Sequence, residues 1–119
     1  MTHSRAAARI LCRGLDDWVQ LVDVIHEVTS AGNALTPIEL REEAMRVIAE
    51  LLKEELIVIG DVTTQSGFVQ WPQATTSLQL DKVRLRWDAL GRPPILGDVC
   101  WLKLTDAGHH RANELFESI

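Results

Sequence analysis

Several things are scarce in this sequence. It has no tyrosine, and its two cysteines, Cys12 and Cys100, stand alone with neither metal-type nor redox-type spacing. Two isolated thiols argue against a disulfide-stapled secreted scaffold and suit a reducing, cytoplasmic setting. Long apolar runs are missing as well. The longest, such as Leu56–Ile59, fall far short of the ~18 residues a membrane-spanning helix needs. Phosphate-loop chemistry lacks its residues: Gly60 and Gly67 are separated by threonine, glutamine and serine with no lysine following. There is no glycine-flanked nucleophile turn either. The first fourteen residues lack the apolar core of a secretion signal. They carry Arg5, Arg9 and Arg13 among alanines with no acid, a composition also found in organelle transit peptides. Ser4 as a cap for a helix over Ala6–Arg13 is the preferred reading of that stretch.

What is present fits one domain over residues 1–119. An apolar share of 46% beside 24% charged residues is that of a globular chain, and the length suffices for one core. The net charge of −5 is unevenly spread. Residues 1–14 contribute +3 as a basic helix or arm. Residues 15–61 hold eleven acids and three bases, whereas residues 62–119 are balanced at six of each. An acidic middle points to a partner of opposite charge.

Local patterns divide the chain further. Gly14 is expected to break the first helix, and Asp16 or Asp17 to cap a second over residues 16–30. Its apolar stripe is Trp18, Leu21, Val22, Ile25 and Val28. Ala31-Gly32-Asn33 should end it. Thr36-Pro37-Ile38-Glu39 is a capping box with proline at the first helical position. It opens either one helix to about Glu54 or two short helices breaking near Glu42. Leu56–Ile59 and Phe68–Trp71 read as strands. Thr75, Thr76 or Ser77 should cap a helix burying Leu80, Val83, Trp87 and Leu90 and ending at Gly91. Arg92-Pro93-Pro94 is a stiff linker. Val99–Leu104 is the last strand, and Thr105 caps a terminal helix to about Glu117. Its contact candidates are Ala107, Arg111, Ala112, Leu115 and Phe116.

Two segments carry a resemblance. Ala49-Glu50-Leu51-Leu52-Lys53-Glu54-Glu55-Leu56-Ile57 resembles the end of a winged-helix recognition helix running into the first wing strand. Trp101-Leu102-Lys103-Leu104-Thr105-Asp106-Ala107-Gly108 resembles the second wing strand and the "leucine, threonine, two residues, glycine" opening of a terminal helix. The pairing is similar to MarR-like and PadR-like bacterial regulators and covers roughly residues 15–61 and 98–119. It implies an α+β fold with a winged-helix-like core, a helical insertion over 62–97 between the wing strands, and DNA binding. Two features depart from the pattern: Glu55 stands where the family often has glycine, and a long excursion replaces a short wing hairpin.

Each candidate chemistry has a plainer competitor. Arg41, Arg46 and Lys53 face six acids over residues 38–55, and Glu42–Arg46–Glu50–Glu54 is a salt-bridged ladder that repels phosphates. Nucleic acid is therefore not the expected partner, although Arg5, Arg9 and Arg13 keep it as an alternative. Asp106, His110 and Glu114 share a helical face, but no Cys or His cluster completes a metal shell. No cofactor, metal or catalytic residue is expected. The favoured function is binding another protein, in its concrete form an immunity protein or antitoxin covering a basic toxin. The partner-binding candidates are Glu42, Glu43, Glu50 and Glu54 on the acidic face, with Trp71 and Arg86 from the insertion. A homodimer is left open.

Overall fold

The computed structural model describes residues 4–30 and 35–117. Among them the chain forms an α+β globule of five helices and one open four-stranded antiparallel sheet. The elements are α1 (Arg5–Gly14), β1 (Val19–Gln20), α2 (Leu21–Ser30), α3 (Pro37–Lys53), β2 (Ile57–Thr63), β3 (Gly67–Gln70), α4 (Thr76–Leu90), β4 (Trp101–Leu104) and α5 (Asp106–Glu117). The anticipated helix end at Ala31-Gly32-Asn33 lies outside the described residues.

The caps read from sequence are in place at several starts. The Ser4 hydroxyl accepts from the Ala7 amide at 3.2 Å. Thr36 and Glu39 form both halves of the capping box, at 3.2 and 2.9 Å, and α3 then runs unbroken to Lys53. Thr75 caps α4, and Gly91 ends it in the left-handed conformation.

Two boundaries move for physical reasons. Helix α2 starts at Leu21, because Val19 and Gln20 pair with Leu102 and Trp101 of β4, and the Asp23 carboxylate accepts the Gln20 amide at 2.9 Å. Asp16 and Asp17 therefore do not cap it. Gly14 is the last residue of α1, as expected; a Cβ there would sit 2.6 Å from the Leu104 side chain, so glycine also allows α1 to approach β4. Strand β4 begins at Trp101, since Val99 has φ 70° and the Cys100 amide donates back to the Asp98 carbonyl at 2.8 Å. A β-branched residue rarely adopts this tight turn.

The sheet order is β1-β4-β2-β3. Ile57 pairs with Leu104 and Ile59 with Leu102, so four buried aliphatic side chains line the helix-facing side, while Val58 opposite Lys103 belongs to the outer side. Ile10 and Leu11 of α1, Leu21 and Val24 of α2, and Val47, Ile48 and Leu51 of α3 complete the core, each contributing about 1.5–3 kcal/mol by burial.

The junction between α3 and β2 positions the rest. Glu55 has φ 59°, its amide donates to the Leu52 carbonyl and the Leu56 amide to the Leu51 carbonyl, at 3.0 and 3.1 Å. This is the two-bond left-handed helix end, made with glutamate instead of glycine. The Thr105 hydroxyl donates to the Glu55 carbonyl at 2.7 Å and accepts the Gly108 amide at 3.0 Å. A Cβ at Gly108 would overlap the Leu56 carbonyl oxygen. The threonine and glycine of that motif thus tie α5 to the start of β2. In α5 the inward positions are Gly108 and Ala112, with Arg111 and Leu115 half-buried; Ala107 and Phe116 are exposed, one position off the expected face.

Candidate partner-binding surface

The acidic residues of α3 lie along one helix but are largely engaged within the molecule. Glu42 accepts from Arg41 and, across to α4, from Arg84, each at 3.2 Å. Arg41 also pairs with Asp88 of α4. Glu43 takes two bonds from the Arg46 Nε at 3.0 and 3.1 Å, and these hold its carboxyl below the usual range. Glu50 accepts the Ser4 amide and hydroxyl, both at 3.3 Å, and lies 3.6 Å from Arg46. Glu54 is exposed. The sequence suggested pairing along the helix; it gave no sign that α4 and the start of α1 share these carboxylates. A groove of about 680 Å³ runs beside Arg5, Glu39, Glu42 and Glu43 over a floor of Ala6, Val28 and Leu35.

Trp71 departs from its expected role as an exposed contact. It is only 4% accessible. Its amide continues the β2 ladder by donating to the Ile59 carbonyl at 3.0 Å, and its ring lies beneath the Lys82 Nζ at 4.4 Å and the Arg86 guanidinium at 4.9 Å. Helix α4 therefore closes over it. Arg86 reaches Asp61 at 2.6 Å and the Val99 carbonyl at 3.0 Å, fastening α4 to the sheet and to the strained turn before β4. Burial alone would raise the Asp61 carboxyl, but Arg86 and the Trp71 indole outweigh it and hold it low. The indole Nε1–H is buried with no partner in hydrogen-bonding geometry among the described residues, so its influence on Asp61 is that of a nearby dipole. Trp87, by contrast, packs partly buried against the core as its spacing implied.

One buried charge escaped the sequence reading. Glu27 is 3% accessible and accepts from Arg9 Nε at 2.8 Å and Arg13 Nε at 2.6 Å, while Arg13 also reaches Asp23 at 3.2 Å. Burial pushes the Glu27 carboxyl up, but the bonds and charges of Arg13 and Arg9 prevail and leave it below its usual value. The signal was present: an acid between Val24 and Val28 on an apolar stripe, opposite two arginines one turn apart in a helix without acids.

The remaining candidates have plain surroundings. Asp106, His110 and Glu114 are exposed, with His110 Nε2 3.7 Å from Glu114. No group of three or more His, Cys, Asp or Glu side chains among the described residues could hold a metal ion. Burial raises the Cys100 thiol to about 12, which keeps it protonated and unreactive. No helix among the described residues is long and apolar enough to cross a membrane.

Seven large apolar side chains stand exposed among the described residues, and five of them, Val69, Leu78, Leu85, Ile95 and Leu96, fall between residues 62 and 97. Ile95 and Leu96 sit on a turn fixed by Asp98, which accepts from Arg92 at 2.7 Å and from the Ile95 amide at 2.8 Å. Exposed apolar groups concentrated on an ordered segment mark a contact surface better than paired charges do. No protein-family model, curated protein or solved structure significantly matches the chain.

Proposed function

We propose that this chain is a non-enzymatic protein-binding module built on a winged-helix-like core, with residues 62–97 inserted between the wing strands. The connectivity supports the core: α1, β1, α2, α3, β2, β4 and α5 follow in that order, and β4 lies between β1 and β2 with both pairings antiparallel. In this reading α3 corresponds to a recognition helix, and β2 and β4 to the wing.

The observation that carries the function is the position of α4 across α3. A helix that reads DNA presents bare cations and amides to phosphates and base edges. Here Arg41 is bound to Asp88, and Glu42 to Arg84, so α4 occupies the flank of α3 and neutralises its charges internally. The basic arm is committed too, since Arg9 and Arg13 are turned onto Glu27. The MarR-like or PadR-like regulator remains the second reading, favoured by connectivity alone. An immunity protein or antitoxin is the form of the proposal to test first, because it needs a surface rather than chemistry, and the acidic residues 15–61 would attract a basic toxin.

The test pairs affinity purification from native lysate with titration of labelled duplex DNA at physiological salt. A stoichiometric protein partner and no duplex binding are expected. Submicromolar duplex affinity with a steep salt dependence would replace this reading with the regulator.

A further inference from the structure

We infer that the outer face of α4 is a docking strip for an amphipathic helix of a partner protein, one whose apolar stripe is flanked by lysine or arginine. This rests on the protein-binding reading above. Leu78 and Leu85, exposed at 52% and 71%, stand two turns apart on one face, with exposed Ala89 a turn further on. Ile38, exposed at 70%, lies on the face of α3 that bears Arg41 and Glu42, one turn before the ion pairs to α4, so it adds to the same end of the strip.

The charges beside the strip select the partner. Asp81 and Asp88 lie along one edge and are exposed, Asp88 being paired with Arg41 of α3. The two cations along the other edge of the leucine face are engaged within the molecule: Lys82 lies over the Trp71 ring and Arg86 is bound to Asp61. Arg84 is directed to Glu42 of α3. With these cations and Asp88 engaged inside the molecule, Asp81 is the charge left beside the apolar strip, and it complements a helix with leucine-type anchors and a basic flank. A helix with acidic flanks would be repelled.

The probe is a synthetic amphipathic peptide of leucine and lysine, about five turns long, compared with its leucine–glutamate counterpart. Backbone amide NMR shifts are followed on the intact chain. The leucine–lysine peptide should perturb Leu78, Asp81, Leu85 and Ala89, and the glutamate peptide should not. Leu78→Ser with Leu85→Ser should weaken binding about tenfold or more, since central apolar anchors dominate such contacts. Asp81→Lys should weaken the lysine peptide and favour the glutamate one. Both leucines are exposed, so melting curves of the serine variant should match the parent. Perturbations centred elsewhere, equal binding of both peptides, or no binding would each overturn the strip. A native partner that co-purifies undiminished with the serine variant would also overturn it while leaving the protein-binding reading intact.

Discussion

Residues 62–97 and the rest of the chain satisfy their surfaces in opposite ways. Outside that segment only Ile38 and Phe116 are large apolar side chains left exposed among the described residues, and even charged groups turn inward, as Glu27 does. Within it, Trp71 and Val83 are the large side chains fully taken into the core, while five large apolar groups face solvent. The core holds itself by close backbone approach, with Gly108 against the Leu56 carbonyl and Thr105 bridging Glu55. The segment is held by the pairing of β3 with β2, by Trp71 and the half-buried Leu80, Trp87 and Leu90, and by the Arg86–Asp61, Arg84–Glu42 and Arg41–Asp88 pairs. A stable scaffold thus carries an addition whose outer side is apolar, a division suited to an interaction module.

Removing the main fastener tests that division most severely. Trp71→Ala should cost about 3–4 kcal/mol, the range for deleting a buried aromatic ring. Hydrogen exchange should show α4 losing protection while α3 and β4 keep theirs. If all three elements lose protection equally, the segment is an integral part of the core and the contrast between the two regions fails.

What the sequence disclosed follows the same division. The capping box at Thr36–Glu39, the Gly91 helix stop and the Thr105–Gly108 motif were legible because each is a local device. The start of α2 was not, because Val19 is drawn from a helical pattern into a pairing with Leu102, more than eighty residues away. Trp71, beside a proline between two elements, looked like a surface residue; its burial depends on how α4 folds back, which no local pattern encodes. The acidic candidates Glu42, Glu43 and Glu50 were identifiable as paired, but their partners on α4 and at Ser4 were not.

A smaller effect probes the inward-turned charge. Glu27→Gln should destabilise the chain by about 2 kcal/mol, less than a fully buried ion pair would cost, because Arg9 and Arg13 are 57% and 37% exposed and water screens them. The pH dependence has a defined sign. The folded carboxyl lies below its unfolded value, so its contribution is complete above about pH 4.5 and is lost as pH falls through the folded pKa. Urea titrations from pH 6 to pH 3 should show the parent losing more stability than Glu27→Gln. Parallel curves for the two proteins would place the acid-sensitive group elsewhere.

The smallest predicted change is a gain. Glu55 occupies the left-handed position that ends α3, where a side chain is strained by about 1 kcal/mol relative to glycine. The glutamate side chain is exposed, and the bonds that define the turn are all backbone: Glu55 to Leu52, Leu56 to Leu51, and the Glu55 carbonyl to Thr105. Substituting glycine keeps every one of them and removes the strain, but it also frees the unfolded chain, which returns part of the gain. Glu55→Gly should therefore stabilise the protein by about 0.5 kcal/mol, read as a higher urea midpoint with an unchanged slope. Glu55→Ala, which lacks the carboxylate but retains the Cβ, should not reproduce it. If alanine stabilises as much as glycine, relief of negative charge in residues 15–61 is the cause and the turn at Glu55 is unstrained. If neither does, the junction tolerates glutamate without penalty, and the departure from glycine there carries no energetic consequence for the core.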